Sequence, residues 1–230
     1  MRRALLAFAA LALMVWGPAA AAPVSRSVPM LDRLVAPRQP GPMAPRDECA
    51  RVPGARTFRV TLAQAVAARD LAALERLATP QVQMGFGGDN GHAELRRAAR
   101  DPKGSFWRDL AGAIELGCAA GRDGSLTMPW IFAQDPGGDI DAFDALLVRG
   151  ARVPLRAAAG PRARVLRLLD WQFVELLGPG DEADRFRKVR TSDRTEGFVA
   201  SGSLRSLVDT RVIAERARGG WKITAIVAGD

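Results

Sequence analysis

Few residues of this chain can do chemistry, and their spacing is poor for catalysis. His92 is the single histidine, so any Ser-His-Asp or Cys-His relay has to use it. It stands beside Asp89-Asn90-Gly91 at the expected start of a helix. No Gly-x-Ser-x-Gly elbow supplies a nucleophile, and Ser201-Gly202-Ser203 reads as a turn. His92 is therefore read as a surface or capping residue. Asp135, Asp139, Asp141 and Asp144 offer oxygens to calcium, but they lack the EF-hand order and its terminal glutamate, so they read as a solvated linker. There is neither a phosphate-cradling P-loop nor a complete dinucleotide fingerprint. No catalytic residue, metal site or cofactor is expected, and binding is favoured over turnover.

The remaining chemistry is charge. The 230 residues carry 33 Lys and Arg against 25 Asp and Glu, a formal charge of +8. The lysines are Lys103, Lys188 and Lys222, and tyrosine is absent. Arg185, Arg187, Lys188, Arg190 and Arg194 crowd one expected strand and its following turn. Positions 185, 187 and 189 share one strand face and 186, 188 and 190 the other, so these charges cannot all line one surface. Two readings stay open: a solvated face that serves solubility, or attraction to anions of the cell envelope. Nucleic acid is not an expected partner, because interleaved stacking aromatics are lacking. With 48% apolar and 25% charged residues, the chain has ordinary globular composition and room for one large or two small domains.

Residues 1–21 read as an address. Arg2 and Arg3 precede an apolar run from Ala4 to Trp16 and the small residues Ala19 to Ala22, the pattern of a secretory signal peptide cleaved after Ala21. The run is shorter than the ~20 residues of a spanning helix, and no later stretch is long and apolar enough to span. The mature chain is expected in the periplasm or outside the cell. In an oxidising compartment Cys49 and Cys118 are a candidate disulfide, and neither belongs to a C-x-x-C pair. Two separately buried thiols remain the alternative, because spacing does not establish bridge geometry. Residues 22–48, with Pro23, Pro29, Pro37, Pro40, Pro42 and Pro45, read as an exposed tether.

The elements that position these residues are α+β in pattern over residues 49–140. Structure is expected to begin with Phe58 and Val60, and Thr61-Leu62-Ala63-Gln64 has the spacing of a capping box opening a helix. Asp70 can cap a second helix bearing Leu71, Leu74 and Leu77, stopped by Pro80. Val82, Met84 and Phe86 alternate as a strand. A helix follows Asn90-Gly91, and another starts near Ser105, carries Trp107, Leu110 and Ile114, and stops at Gly117. Leu126, Met128, Trp130 and Phe132 alternate as a strand. Residues 207–230 form a hairpin about Gly219-Gly220. Its second strand, Trp221 to Val227, is apolar on nearly both faces and needs partners on each side. The expected neighbour is the strand at Leu126 to Phe132, which makes residues 144–206 an insertion within one α+β domain.

Residues 144–206 resemble a bacterial SH3-like (SH3b) domain. The resemblance rests on Val153-Pro154-Leu155-Arg156-Ala157, Gly160-Pro161, Val165-Leu166, Val174-Glu175-Leu176-Leu177, Phe186-Arg187-Lys188-Val189-Arg190, and Glu196-Gly197-Phe198-Val199 with Leu204. It implies a small, mostly antiparallel β-barrel that binds peptidoglycan peptide or an anionic glycan, with Trp171, Phe186, Arg187, Arg190 and Phe198 as ligand-binding residues. The chain has phenylalanine at 186 and 198 where the family often has tryptophan or tyrosine, which keeps the apolar face and loses the polar handle. Trp171, between Leu169 and Phe173, can serve a groove or the core. Ala67-Ala68-Arg69-Asp70-Leu71 through Leu74, Pro80, Val82 and Phe86, with Gly220-Trp221-Lys222-Ile223, resemble the opening and close of NTF2-like domains. That likeness implies a cone for a small apolar ligand, with a cavity lined by Phe86, Trp130 and Trp221.

Overall fold

Gly54, at φ +76°, turns the chain into helix α1 (Ala55–Ala67). The helix buries Phe58, Leu62, Ala63 and Val66 along one stripe. The capping-box reading fails here: Thr61 lies inside the helix, and its hydroxyl donates to the Thr57 carbonyl at 3.0 Å. The true start is earlier, set by a glycine rather than by a side-chain cap. Asp70 does cap α2 (Leu71–Leu77), accepting the Ala73 amide at 2.9 Å. Strand β2 (Ala78–Gln83) follows directly, then α3 (His92–Arg100) and α4 (Phe106–Glu115). The structure, a computed structural model, describes residues 39–88, 90–137, 140–178 and 184–229. The expected signal peptide, residues 22–38 of the tether, Asp89 and Asp139 lie outside the described residues.

Two sheets follow from the remaining strands. The first has six strands in the order β1-β3-β4-β12-β13-β2. Here β1 is Arg46–Asp47, β3 Gly117–Ala120, β4 Leu126–Met128, β12 Arg211–Ala217 and β13 Gly220–Val227. β12 runs antiparallel to β4 with Val212 opposite Met128, and β13 lies parallel to β2. The C-terminal hairpin therefore occupies the middle of this sheet. Its apolar side meets the helices in a core of Leu62, Leu74, Leu95, Leu110, Ile114, Met128, Val212, Trp221, Ile223 and Ile226.

At the other edge β1 lies parallel to β3, and Gly117 permits the approach. Its φ is +90°, and a Cβ there would sit 2.1 Å from the Arg46 carbonyl oxygen. The expected strand over Leu126 to Phe132 stops at Met128 because Pro129 has no amide to donate; Trp130–Ala133 is a 3-10 turn.

The second sheet has seven strands in the order β11-β5-β8-β9-β10-β6-β7, and every pairing is antiparallel. The strands are β5 (Ala145–Val148), β6 (Val153–Arg156), β7 (Val165–Leu169), β8 (Phe173–Leu176), β9 (Phe186–Arg190), β10 (Glu196–Ala200) and β11 (Leu204–Ser206). Alternation sends Leu146, Val148, Val153, Leu155, Leu169, Val174, Val189 and Val199 into one shared core. A single sheet holding its own core must curl. It does not close, however: β7 and β11 remain edges, so in place of the expected barrel there is an open sheet.

The outward residues Ala145, Leu147 and Phe173 pack with Leu116, Ala119, Trp130, Ile131, Trp171 and Leu207 to join the two sheets. The molecule is α+β. Among the described residues no helix is long and apolar enough to cross a membrane.

Candidate functional site

The five residues expected to bind ligand are divided by the pleat of β9. Val189 is buried in the core of the curled sheet, so Arg187, two residues earlier, faces the same interior, opposite fully buried Val199. Phe186, Lys188 and Arg190 face out. Phe198, opposite Lys188, shares that outer face, and Arg156 of β6 lies opposite Phe198. Trp171 joins neither group. It is 8% exposed, lies in the layer between the sheets, and donates its indole N–H to Gln39 Oε1 at 2.6 Å. Of its two readings, the packing one describes its surroundings.

Charge on the outer face is largely compensated. Arg190 bonds Glu175 at 3.0 Å and Glu196 at 2.8 Å, and Lys188 bonds the other oxygen of Glu196 at 2.9 Å. These hydrogen bonds, that of Lys188 first, hold the Glu196 carboxyl below its ordinary range, and the Glu196 bond raises Arg190 further. Arg190 also lines a cleft of about 450 Å³ with Pro136, Ile140, Phe173, Glu175 and Arg194. An anion entering there meets an arginine already held by two carboxylates.

The β9–β10 turn is fixed by Asp193. The Thr191 hydroxyl foremost, then Arg167 and Thr195, hold its carboxyl well below the usual carboxylate range, against an opposing desolvation effect. A folded-state pKa below the unfolded value of about 3.9 means that the contribution is complete above that value and is lost as pH falls through the folded one. The amide resonances of Thr191 to Thr195 are therefore expected to keep their neutral-pH positions at about pH 4 and to move only well below it. A transition centred near 4 would contradict the assignment.

Arg187 is the exception among these cations. Its Nε is buried and has no hydrogen-bond partner among the described residues. It lines a cleft of about 360 Å³ at the mouth of the curled sheet with Phe143, Leu146, Leu176, Leu204 and the turn before β12. Sequence parity separates Arg187 from Phe186, but which face turns inward depends on how the sheet curls.

The other sequence candidates have structural roles. Asp135 and Asp141 accept the amides of Gly137 and Phe143 at 2.8 and 2.9 Å, closing turns. Among the described residues no group of three His, Cys, Asp or Glu side chains could hold a metal. His92 opens α3 with its Nε2 buried and unpartnered.

Cys49 and Cys118 form a disulfide with Cα atoms 5.7 Å apart. Cys118 lies in β3.

The three rings expected to line a cone do not converge. Phe86 is 54% exposed beyond the end of β2, Trp130 bonds Glu48 in the layer between the sheets, and Trp221 bonds the Pro53 carbonyl in the helix-side core. Phe86 leaves the ladder because the Asn90 side chain takes the Met84 amide at 3.0 Å. A cleft of about 340 Å³ does open on the first sheet, between Met84, Phe106, Ile226 and Asp109. The Asp109 carboxylate accepts the Ser105 hydroxyl. No protein-family model, curated protein or solved structure matches this chain.

Proposed function

We propose that the chain is an exported, non-catalytic accessory protein of the cell envelope, periplasmic or secreted, whose SH3b-like second sheet binds peptidoglycan peptide or, as another source of the same charge, an anionic glycan. The leader pattern of residues 1–21 and the Cys49–Cys118 bridge support export, since such bridges persist in oxidising compartments. The observation that carries the binding reading is the outer face of β6, β10 and β9. The first sheet packs against Ala145, Leu147 and Phe173, which lie on β5 and β8, so this face is outside that contact. Phe186 and Phe198 are half-buried there, flanked by Arg156 and Lys188. Flat aromatic area beside cations suits an extended anionic chain.

Retention of the mature protein on purified sacculi across a salt series tests the reading. Retention is expected at low salt and is expected to fall as ionic strength rises, because contacts at an exposed face are screened beyond ~8 Å at physiological salt. Phe198 is not in the core, so F198A is expected to weaken retention at every salt while shifting stability by about 1 kcal/mol, the usual scale of a point substitution. If the wild-type protein is not retained even at low salt, the reading is wrong.

A further inference from the structure

The inward face of the curled sheet is apolar at Leu146, Val148, Val174, Leu176, Val189, Val199 and Leu204, and Arg187 interrupts it. A guanidinium brought against such a surface loses water and needs an anion in return. Arg190 and Lys188 on the outer face have carboxylate partners, and so does Arg167 at the turn. Among the described residues Arg187 has no carboxylate partner, and its Nε is sealed from solvent.

Among the described residues the carboxylate lining the same cleft is that of Asp209. It accepts the Ser206 amide at 3.1 Å and sets its charge beside the buried Arg205. The neighbouring hydroxyls are also engaged: Ser201 donates to the Asp184 carbonyl, and Ser206 accepts the Val208 amide at 3.3 Å. The cleft therefore presents a planar cation, apolar walls from Leu146, Leu176 and Leu204, and the exposed ring of Phe143 at its rim. At about 360 Å³ it sits at the small end of ligand clefts, with room for the end of a ligand.

We propose that this cleft captures the free carboxylate of an apolar peptide end. Arg187 holds the carboxylate through its fork, and Leu146, Leu176 and Leu204 take the adjoining side chain. A planar monoanion matches the Arg187 guanidinium, whereas a phosphate dianion calls for a second cation, and Arg205, the other arginine lining the cleft, is engaged with the Thr210 carbonyl at 2.6 Å and lies beside Asp209. The site is on the inner face of the sheet and stands without the sacculus reading, which uses the outer one.

The test is titration of the full mature chain with N-acetyl-leucyl-alanine, its carboxy-terminal amide, and inorganic phosphate, followed by NMR at the Arg187 Nε–H resonance in the parent and at the backbone amides of Leu176 and Val199 in the parent and the variants alike. The free acid is expected to shift that resonance to saturation, and the amide to leave it in place. R187M keeps an unbranched apolar stem against Val199 and is expected to abolish binding with the amide spectrum otherwise folded. R187K keeps the charge, loses the fork, and is expected to weaken binding about 10-fold or more, as loss of one charge-assisted contact implies. Equal binding of acid and amide, an equal shift with phosphate alone, unchanged affinity in R187K, or no shift at about 10 mM probe, past the millimolar end of the affinity scale, would each overturn the proposal. Sacculus retention is measured separately, so the two readings fail independently.

Discussion

Deleting residues 207–230 is expected to unfold the six-stranded sheet rather than shorten a tail. β12 and β13 stand between β4 and β2, so their removal separates the two halves of the sheet and leaves two ladders without partners. It also takes Val212, Trp221, Ile223 and Ile226 from the helix-side core. Burial of a Val or Ile side chain contributes about 1.5–3 kcal/mol each. The three aliphatic losses alone rival the ~5–15 kcal/mol by which a domain is stable. The measurement is thermal melting by circular dichroism, with the methyl signals of Val174, Val189 and Val199 reporting separately on the curled sheet. A truncated chain that melts like the full-length one would refute the account.

Loss of the Cys49–Cys118 bridge ranks second in expected effect. Both cysteines are fully buried in the helix-side core, and the bridge closes 69 residues of sequence. The chain-entropy model assigns a closure of that length about 4 kcal/mol. The bridge also secures β1, a strand whose ladder is two residue pairs against β3. A C49A/C118A variant is therefore expected to melt roughly 8–16 °C lower, taking 2–4 °C per kcal/mol for a chain of this size. Because the two sulfurs are joined, the native protein is expected to resist alkylation without reductant, and because both cysteines are fully buried, reductant is expected to act slowly on the folded chain. A double variant melting within about 2 °C of the parent, well inside that range, would show that the cross-link contributes nothing.

What the sequence made legible was local. Asp70 before Leu71, Leu74 and Leu77 identifies a capped helix from contacts spanning one turn, and the structure has it. The α+β character also follows from periodicity. Alternation misled where a single residue outside the pattern decided the outcome. Pro129 ends β4 two residues before Trp130 would have continued it, and Asn90 takes the Met84 amide before Phe86 can join β2.

The site was less legible still. Phe186, Arg187, Arg190 and Phe198 read as one cluster because they are close along the chain, whereas the pleat sends Arg187 inward and the others outward. Parity gave the division but not its sign, which depends on Val189 meeting Leu155, Val174 and Val199 from distant strands. Trp171 is similar: its burial comes from Ala44, Trp130 and Leu147, none of them near it in sequence.

The position of the last hairpin also sets an order of events. β2 is an edge strand whose one neighbour is β13, near the end of the chain, and β4 waits for β12 across the whole of the curled sheet. During synthesis the early helices and strands therefore emerge long before the strands that complete their sheet. Pairings so distant in sequence carry a large loop-closure cost and form slowly. A chain built this way completes its six-stranded sheet only once β12 and β13 are present. On the proposal that the chain is exported, that delay would keep it extended for the passage across the membrane.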